Sequence, residues 1–287
     1  MMDVRRIEAG DRDAVLAFLE RAPYENAFLA WMLTSESLVL HAPIYVAWDG
    51  KRVAGMLYLG PQIVIAGASD AARAALAELL VRSRRPSLLV GTVADVEYIE
   101  SMAREAFGEP PVVRACQPVY ALTPQQLRPA PHARVRRAEF ADLEMVAYHA
   151  AAMTAEELGF DPRRADFSSF REGTRRNIER GWSWVWTDEG QLRFKVSIGA
   201  VTARTTQLQG VFTPPEYRGR GYASAGLHAV CQTLFEEGHP TLSLCVNDFN
   251  HTARRLYERL GFTEAGALRT LIYLPQNARR HTAPHLT

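Results

Sequence analysis

The chain has 287 residues, long for one domain and comfortable for two of ordinary size. Its 33 Lys and Arg against 32 Asp and Glu give a net charge of +1, without the basic excess of a nucleic-acid binder, and 47% hydrophobic residues fit a globular core. Three scattered cysteines (Cys116, Cys231, Cys245) exclude a disulfide framework and a cysteine zinc site, and Cys231 and Cys245 read as small core residues.

In chain order, Val4-Arg5-Arg6-Ile7 reads as a short strand, followed by the acidic cap Gly10-Asp11-Arg12-Asp13 and an apolar-periodic helix. No apolar run opens the chain, so no secretory signal is expected. No stretch reaches the roughly 18 apolar residues of a membrane span. Ile44–Trp48 and Val53–Leu59 flank Asp49-Gly50-Lys51 as a hairpin. Helical spacing of Ala72, Leu76, Leu79 and Leu80 predicts a helix over 69–82. A short buried strand at Leu88–Val90 and a helix at Val96–Phe107 follow. Pro124, Pro129 and Pro131 then break the periodicity. They mark a linker at 126–132 between units 1–125 and 133–287.

The second unit opens as the first does. Val135-Arg136-Arg137-Ala138 is followed by Phe140-Ala141-Asp142-Leu143 and a helix, which points to a duplicated unit. Thr154-x-x-Glu157 fits a capping box. Arg163, Arg164, Arg171, Arg175, Arg176 and Arg180 read as a solvated basic helical face. Trp182–Trp186 and Leu192–Val201 flank Asp188-Glu189-Gly190 as a second hairpin. Its alternating Trp182, Trp184 and Trp186 share one face, for core packing ahead of a groove or an interdomain contact. Lys195 interrupts an apolar strand, so it is either functional or near an edge. Gln207–Phe212 is a strand stopped by Pro214 and Pro215. Residues 222–237 form a helix ended by Gly238. Leu242, Leu244 and Val246 alternate as a strand, a helix follows at about 251–260, and a last strand lies near Leu268–Leu274. The order is mixed α/β, a central sheet with helices on both faces.

The chemistry concentrates in Arg218-Gly219-Arg220-Gly221-Tyr222-Ala223, between a strand and a helix. Two glycines permit a tight turn with exposed N–H groups, and the helix adds its free N-terminal N–H groups and positive dipole end. Together they form a pyrophosphate pocket; a glycine-rich turn without a ligand is the alternative. The Arg-x-x-Gly-x-Ala pattern resembles the pyrophosphate loop of the GNAT superfamily of N-acetyltransferases. Asn250, Ala253, Tyr257 and Gly261-Phe262 are similar to the family's Asn…Ala…Tyr…Gly-Phe helix at the same spacing. The resemblance covers roughly 133–275. Phe194-Lys195, Gln209-Gly210-Val211 and Asn247-Asp248-Phe249-Asn250 resemble two-domain members with a degenerate N-terminal copy.

The resemblance implies two GNAT-like domains, each a central, mostly antiparallel twisted sheet with helices on both faces. It also implies acetyl-CoA as acyl donor, with its pyrophosphate on 218–223 and its pantetheine arm beside Val211, Phe212 and Thr213. That strand and the one at 242–246 splay apart around the arm. Asn247, Asn250 and Ala253 complete the cofactor set, although Asn250 also fits a helix N-cap. Tyr257 would protonate the leaving thiolate; core packing is its other reading. Glu157, beside Glu156, and Asp248 are the candidate bases, with a water relay also open. Direct attack by a primary amine on a thioester needs no metal. The acceptor is a small molecule or a protein lysine or N-terminus, and neither nucleic acid nor membrane is expected as partner. A monomer or homodimer in the cytoplasm is expected. The competing reading is a non-catalytic acyl-CoA-binding sensor or interaction protein. The first unit has Gly60-Pro61-Gln62 to Gly67-Ala68-Ser69-Asp70 where its loop should fall, and no Arg-x-x-Gly-x-Ala. Ser69 or Asp70 would cap the next helix there.

Overall fold

The computed structural model describes residues 2–34, 42–60, 62–83, 86–158, 161–164 and 167–273. The first half supplies β1 (Asp3–Arg6), α1 (Arg12–Leu19), α2 (Ala27–Met32), β2 (Ile44–Asp49), β3 (Arg52–Leu59) and β4 (Gln62–Gly67). It continues with α3 (Asp70–Val81), β5 (Leu88–Thr92), α4 (Val93–Phe107) and β6 (Val112–Leu122). The second half supplies β7 (Arg136–Arg137), α5 (Leu143–Leu158), α6 (Phe167–Glu179), β8 (Ser183–Asp188), β9 (Gln191–Val201) and β10 (Thr206–Phe212). Then come α7 (Tyr222–Glu236), β11 (Leu242–Cys245), α8 (His251–Leu260) and β12 (Thr263–Ile272).

The mixed α/β fold expected from the sequence is present. Its strands form one twelve-stranded sheet, in the order β1-β2-β3-β4-β5-β12-β6-β11-β10-β9-β8-β7. Pairing is antiparallel except at β4/β5 and β10/β11. Each half contributes five strands in the same spatial order, and then its sixth strand crosses to the other half. β12 pairs with β5, β6 pairs with β11, and β6 and β12 pair with each other. Sheet pairing therefore crosses the proline-rich segment at 126–132.

Helices cover both faces because the strands alternate their apolar side chains between them. Val46, Met56 and Val64 meet Val15, Leu19 and Leu29 of α1 and α2. On the opposite face Leu57, Ile65 and Leu89 meet Leu76 and Leu80 of α3 and Ile99 of α4. In the second half Phe194, Val196 and Leu244 meet Leu227, Val230 and Leu256 of α7 and α8. Val185 and Leu192 meet Val146 of α5 and Ile178 of α6. Trp182 and Trp186 pack against the cluster that buries Trp184, so the three tryptophans are core residues. Trp182 also reaches Trp31 of α2 at 5.9 Å, with Arg180 stacked on both rings, so it joins the halves as well.

The duplicated openings coincide in atomic detail. Arg5 Nη1 lies 2.7 Å from Asp11, and Arg136 Nη1 lies 2.6 Å from Asp142. Each aspartate also accepts the N–H of the residue three before it, Glu8 or Glu139, at 2.8 Å. Both carboxyls are held below their ordinary range, first by the arginine hydrogen bond.

Three expectations are corrected. Thr154 does not start a helix: α5 runs through it, and its hydroxyl donates to the Ala150 carbonyl at 3.2 Å, so there is no capping box. Residues 62–67, expected within the loop region, are strand β4. Cys245 is half-buried and borders a cavity, whereas Cys231 is core. Arg163, Arg171, Arg175, Arg176 and Arg180 are exposed or half-buried, and several pair with nearby carboxylates, Arg171 with Glu144 and Arg175 with Glu172 and Glu179.

No helix among the described residues is long and apolar enough to cross a membrane. Gly261 closes α8 at φ +101°, where a Cβ would run into the Gln126 carbonyl oxygen. Gly261→Ala is expected to destabilise the fold by at least the ~1–3 kcal/mol of a strained backbone, read as a lower denaturation midpoint.

Candidate active site

The site begins where two strands stop pairing. β10 and β11 are paired at Thr206↔Leu242, Gln207↔Ser243 and Leu208↔Leu244, and no further. Gly210 then takes φ +66°, and the register of β10 against β9 shifts between Gln209 and Phe212. This bulge turns β10 away from β11. From Gln209 onward the inner edge of β10 has no strand partner. The gap belongs to a cavity of about 790 Å³, with Gln209, Gly210 and Val211 on one wall and Leu244, Val246 and Asn247 on the other.

Because β10 and β11 are parallel, their carboxyl ends share one edge, where α7 and α8 both begin. Crevices of open α/β sheets lie at this edge. Thr213 is buried, and its hydroxyl oxygen has no hydrogen-bond partner among the described residues. Gly219 and Gly221 follow at φ +75° and +84°, open space around each. Gly221 is the N-cap of α7, so the N–H groups of Tyr222 and Ala223 have no intrahelical partner. Arg218 is occupied: its Nε donates to the Thr213 carbonyl at 3.0 Å, and its Nη2 lies 2.6 Å from Glu156. The loop thus presents backbone donors, with Arg220 exposed beside them.

At the start of α8, Asn250 Oδ1 accepts the Ala253 N–H at 3.1 Å, so Asn250 is the helix cap and also lines the cavity, as does Ala253. One α8 turn further, Tyr257 is 5% exposed and reaches the same cavity. Its ring stands 6.0 Å from Tyr120 and 5.9 Å from Phe262. Burial raises the phenol above its usual range, and Glu157 adds to the rise, so it is a neutral donor at ordinary pH.

The two carboxylates nominated from sequence part company. Glu157 lines the cavity and is bridged by Arg114 of β6 at 2.8 Å. Asp248 does not line it; its Oδ1 accepts the Phe249 N–H at 2.8 Å. Phe212 is buried beneath His149 and Arg218. Lys195 is 3% exposed and lines the cavity, and its Nζ donates to the Gly210 carbonyl at 3.0 Å.

Sequence reasoning missed the contribution of the exchanged strands. Gln117 of β6 donates to Asn247 Oδ1 at 3.0 Å and accepts from Thr270 of β12 at 2.6 Å, all three buried. This fixes the Asn247 carbonyl on Gln117 and leaves its NH₂ for the cavity. Phe28, Gln62 and Val90 of the first half also line the cavity. No group of three or more metal-ligating side chains occurs among the described residues.

The first half has the same parallel pair, Gln62↔Leu88 to Val64↔Val90, which also stops after three residue pairs, but its strands stay close beyond that point. Gly91 lets β5 stay against Ile65, where a Cβ would lie 2.8 Å from the isoleucine side chain. Beyond it Asp95, 1% exposed, accepts from the Gly67 N–H at 3.2 Å and from Arg73 Nε at 2.8 Å. Ser69 caps α3 by accepting the Ala72 N–H. The equivalent crevice is filled by the chain's own side chains.

Residues 147–262 match the family described as Acetyltransferase (GNAT) family, and residues 42–146 match a domain of unknown function, DUF4081. YycN, an uncharacterised N-acetyltransferase of Bacillus subtilis (strain 168), is 47% identical over 84 residues, 29% of this chain and 47% of that protein. The chain thus spans about half of that relative's length. A GCN5-related N-acetyltransferase from Sphaerobacter thermophilus superposes with a TM-score of 0.62 at 19% identity, covering 96% of each chain. A tandem GNAT protein from the clavulanic acid biosynthesis pathway superposes with a TM-score of 0.54 at 14% identity, over 96% of this chain and all of that one. These two share the fold.

Proposed function

We propose, on the premise that residues 147–262 are a domain of the acetyltransferase (GNAT) family, that the chain moves an acetyl or short acyl group from its CoA thioester to a primary amine by direct attack. The observation that carries this reading is the parted β10/β11 pair, with the N-terminal donors of α7 at the carboxyl edge the two strands share and Tyr257 lining the cavity between them.

In this reading the unpaired edge of β10 at Val211–Thr213 takes the amide groups of the pantetheine arm. The N–H groups of 218–223 take the pyrophosphate, a placement that needs neither metal nor lysine. Asn247 and Asn250 border the arm from the β11 side. Tyr257 donates its proton to sulfur as the C–S bond breaks. Glu157, held by Arg114, orients the acceptor amine. Thiol release from acetyl-CoA across a panel of amines tests the reaction. Acetyl-CoA that binds and releases no thiol with any amine would favour a sensor.

The first half, residues 1–125, is in the same reading a copy that has lost its donor site and now walls the acceptor end. The filling of its crevice by Asp95 and Arg73 supports this. One CoA per chain is therefore expected in calorimetry. A stoichiometry of two would show that the first half also binds.

A further inference from the structure

We propose that Lys195 is the group that takes the proton from the acceptor amine. The inference rests on the acyl-transfer reading above and names the base that reading leaves open.

Three observations converge on this side chain. Lys195 belongs to β9 and stands opposite Phe212 in the register, beside the bulge that opens the crevice. Its Nζ uses one donor on the Gly210 carbonyl at 3.0 Å, and Lys195 lines the cavity that Tyr257 also lines. Glu157 lines the same cavity as Lys195 and Tyr257 and acts electrostatically on both.

The charged and titratable neighbours limit the alternatives. From α5, Glu157 faces Lys195, but its carboxylate is engaged by Arg114. From the same helix His149 feels Lys195, and its imidazole is pushed below its usual value first by burial and then by the Lys195 charge. Glu216 and Arg163 act on His149 in turn, and it does not line the cavity. The cavity-lining residues of α6, Ser169, Phe170, Gly173, Thr174 and Asn177, carry no titratable group, nor does Ser183 of β8; Cys245 of β11 also lines the cavity, its thiol pushed up to about 12 by burial, as does Glu25 of the first half. Burial lowers the Lys195 ammonium to about 8, only partly offset by Glu157. An amine with a pKa close to the working pH is suited to general base catalysis.

The proton balance closes. The neutral acceptor amine attacks the carbonyl carbon, a C–N bond forms, and the nitrogen becomes cationic. Neutral Lys195 Nζ takes one proton from that nitrogen. When the C–S bond breaks, its electron pair goes to sulfur, and the thiolate takes the Tyr257 proton. Return of the lysine proton to the phenolate through water restores both groups.

Lys195 acts only when deprotonated, so activity must rise as pH increases through its pKa. Thiol release from acetyl-CoA is measured against pH with two probe acceptors of different basicity, glycinamide and n-propylamine. A rising limb near pH 8 that stays in place for both belongs to the enzyme, whereas a limb set by the acceptor moves. Lys195→Met is expected to lose that limb and about 100-fold in turnover, with acetyl-CoA affinity kept. Lys195→Arg separates proton transfer from charge, since arginine keeps the cation and cannot deprotonate. Equal loss in Arg and Met supports the base, and recovery in Arg overturns it. An NMR titration of ¹³C-labelled lysine, assigned with Lys195→Arg, should show a midpoint near 8. An ordinary lysine midpoint overturns the inference. Absence of acetyl-CoA binding to the wild-type protein would instead overturn the acyl-transfer reading.

Discussion

Tyr257→Phe is expected to lower acetyl-transfer turnover by about 100-fold, with acetyl-CoA affinity nearly unchanged. The substitution isolates the hydroxyl. Tyr257 is wedged between Tyr120 and Phe262, and phenylalanine keeps those ring contacts. No hydrogen bond fixes the hydroxyl among the described residues, so its removal leaves no orphaned partner in the protein. Burial raises the phenol and Glu157 raises it further, so it remains protonated where a thiolate needs a donor. A proton given only as the C–S bond breaks is a transition-state interaction, so its loss falls on turnover rather than on binding. The measurement is a pH profile of thiol release at saturating acetyl-CoA, with chemistry shown to limit the rate. Unchanged turnover across that profile would sink the assignment.

The features readable in the sequence are those that neighbouring residues determine. The loop at 218–223 needs positive φ at two positions and a helix just after it, and both requirements lie within six consecutive residues. The Asn250 cap and the Gly261 stop of α8 are likewise local. The exchange of β6 and β12 is not local. Residues 112–122 contain Pro118, which gives no ladder donor and argues against a central strand. Yet β6 is central, and the Pro118 carbonyl accepts from the Val246 N–H at 3.1 Å. The residues that β6 and β12 bring to the cavity, Arg114, Gln117 and Thr270, meet partners 43 to 153 positions away in sequence. Thr154-x-x-Glu157 misled for a related reason. The spacing serves a helix start, but tertiary packing carries α5 straight through, and Glu157 finds Arg114 instead. Lys195 was legible as an anomaly because a lysine within an apolar strand conflicts with burial. Only the fold supplied the carbonyl and the cavity that explain it.

The loss of acetyl-CoA binding in Gly221→Val would separate the anion site from the bare glycine turn. Gly221 has φ +84°, and a Cβ there would meet no atom of the protein within 4 Å. The substitution therefore costs backbone strain, roughly 1–3 kcal/mol, and places a branched side chain in open space at the head of α7. If that space receives a pyrophosphate, the side chain blocks its approach to the N–H groups. Two charge-assisted hydrogen bonds lost at ~1.5 kcal/mol each amount to about a hundredfold in Kd. Strain alone would lower stability as well, so a control is needed. Gly190, in the β8–β9 turn, has φ +73° and the same open surroundings. Gly190→Val should cost comparable stability and leave acetyl-CoA affinity unchanged. The two variants are compared by denaturant midpoint and by calorimetry at the same temperature. Equal affinities in both would place the pyrophosphate elsewhere. A selective loss in Gly221→Val, at matched stability, would assign the phosphate contact to the start of α7.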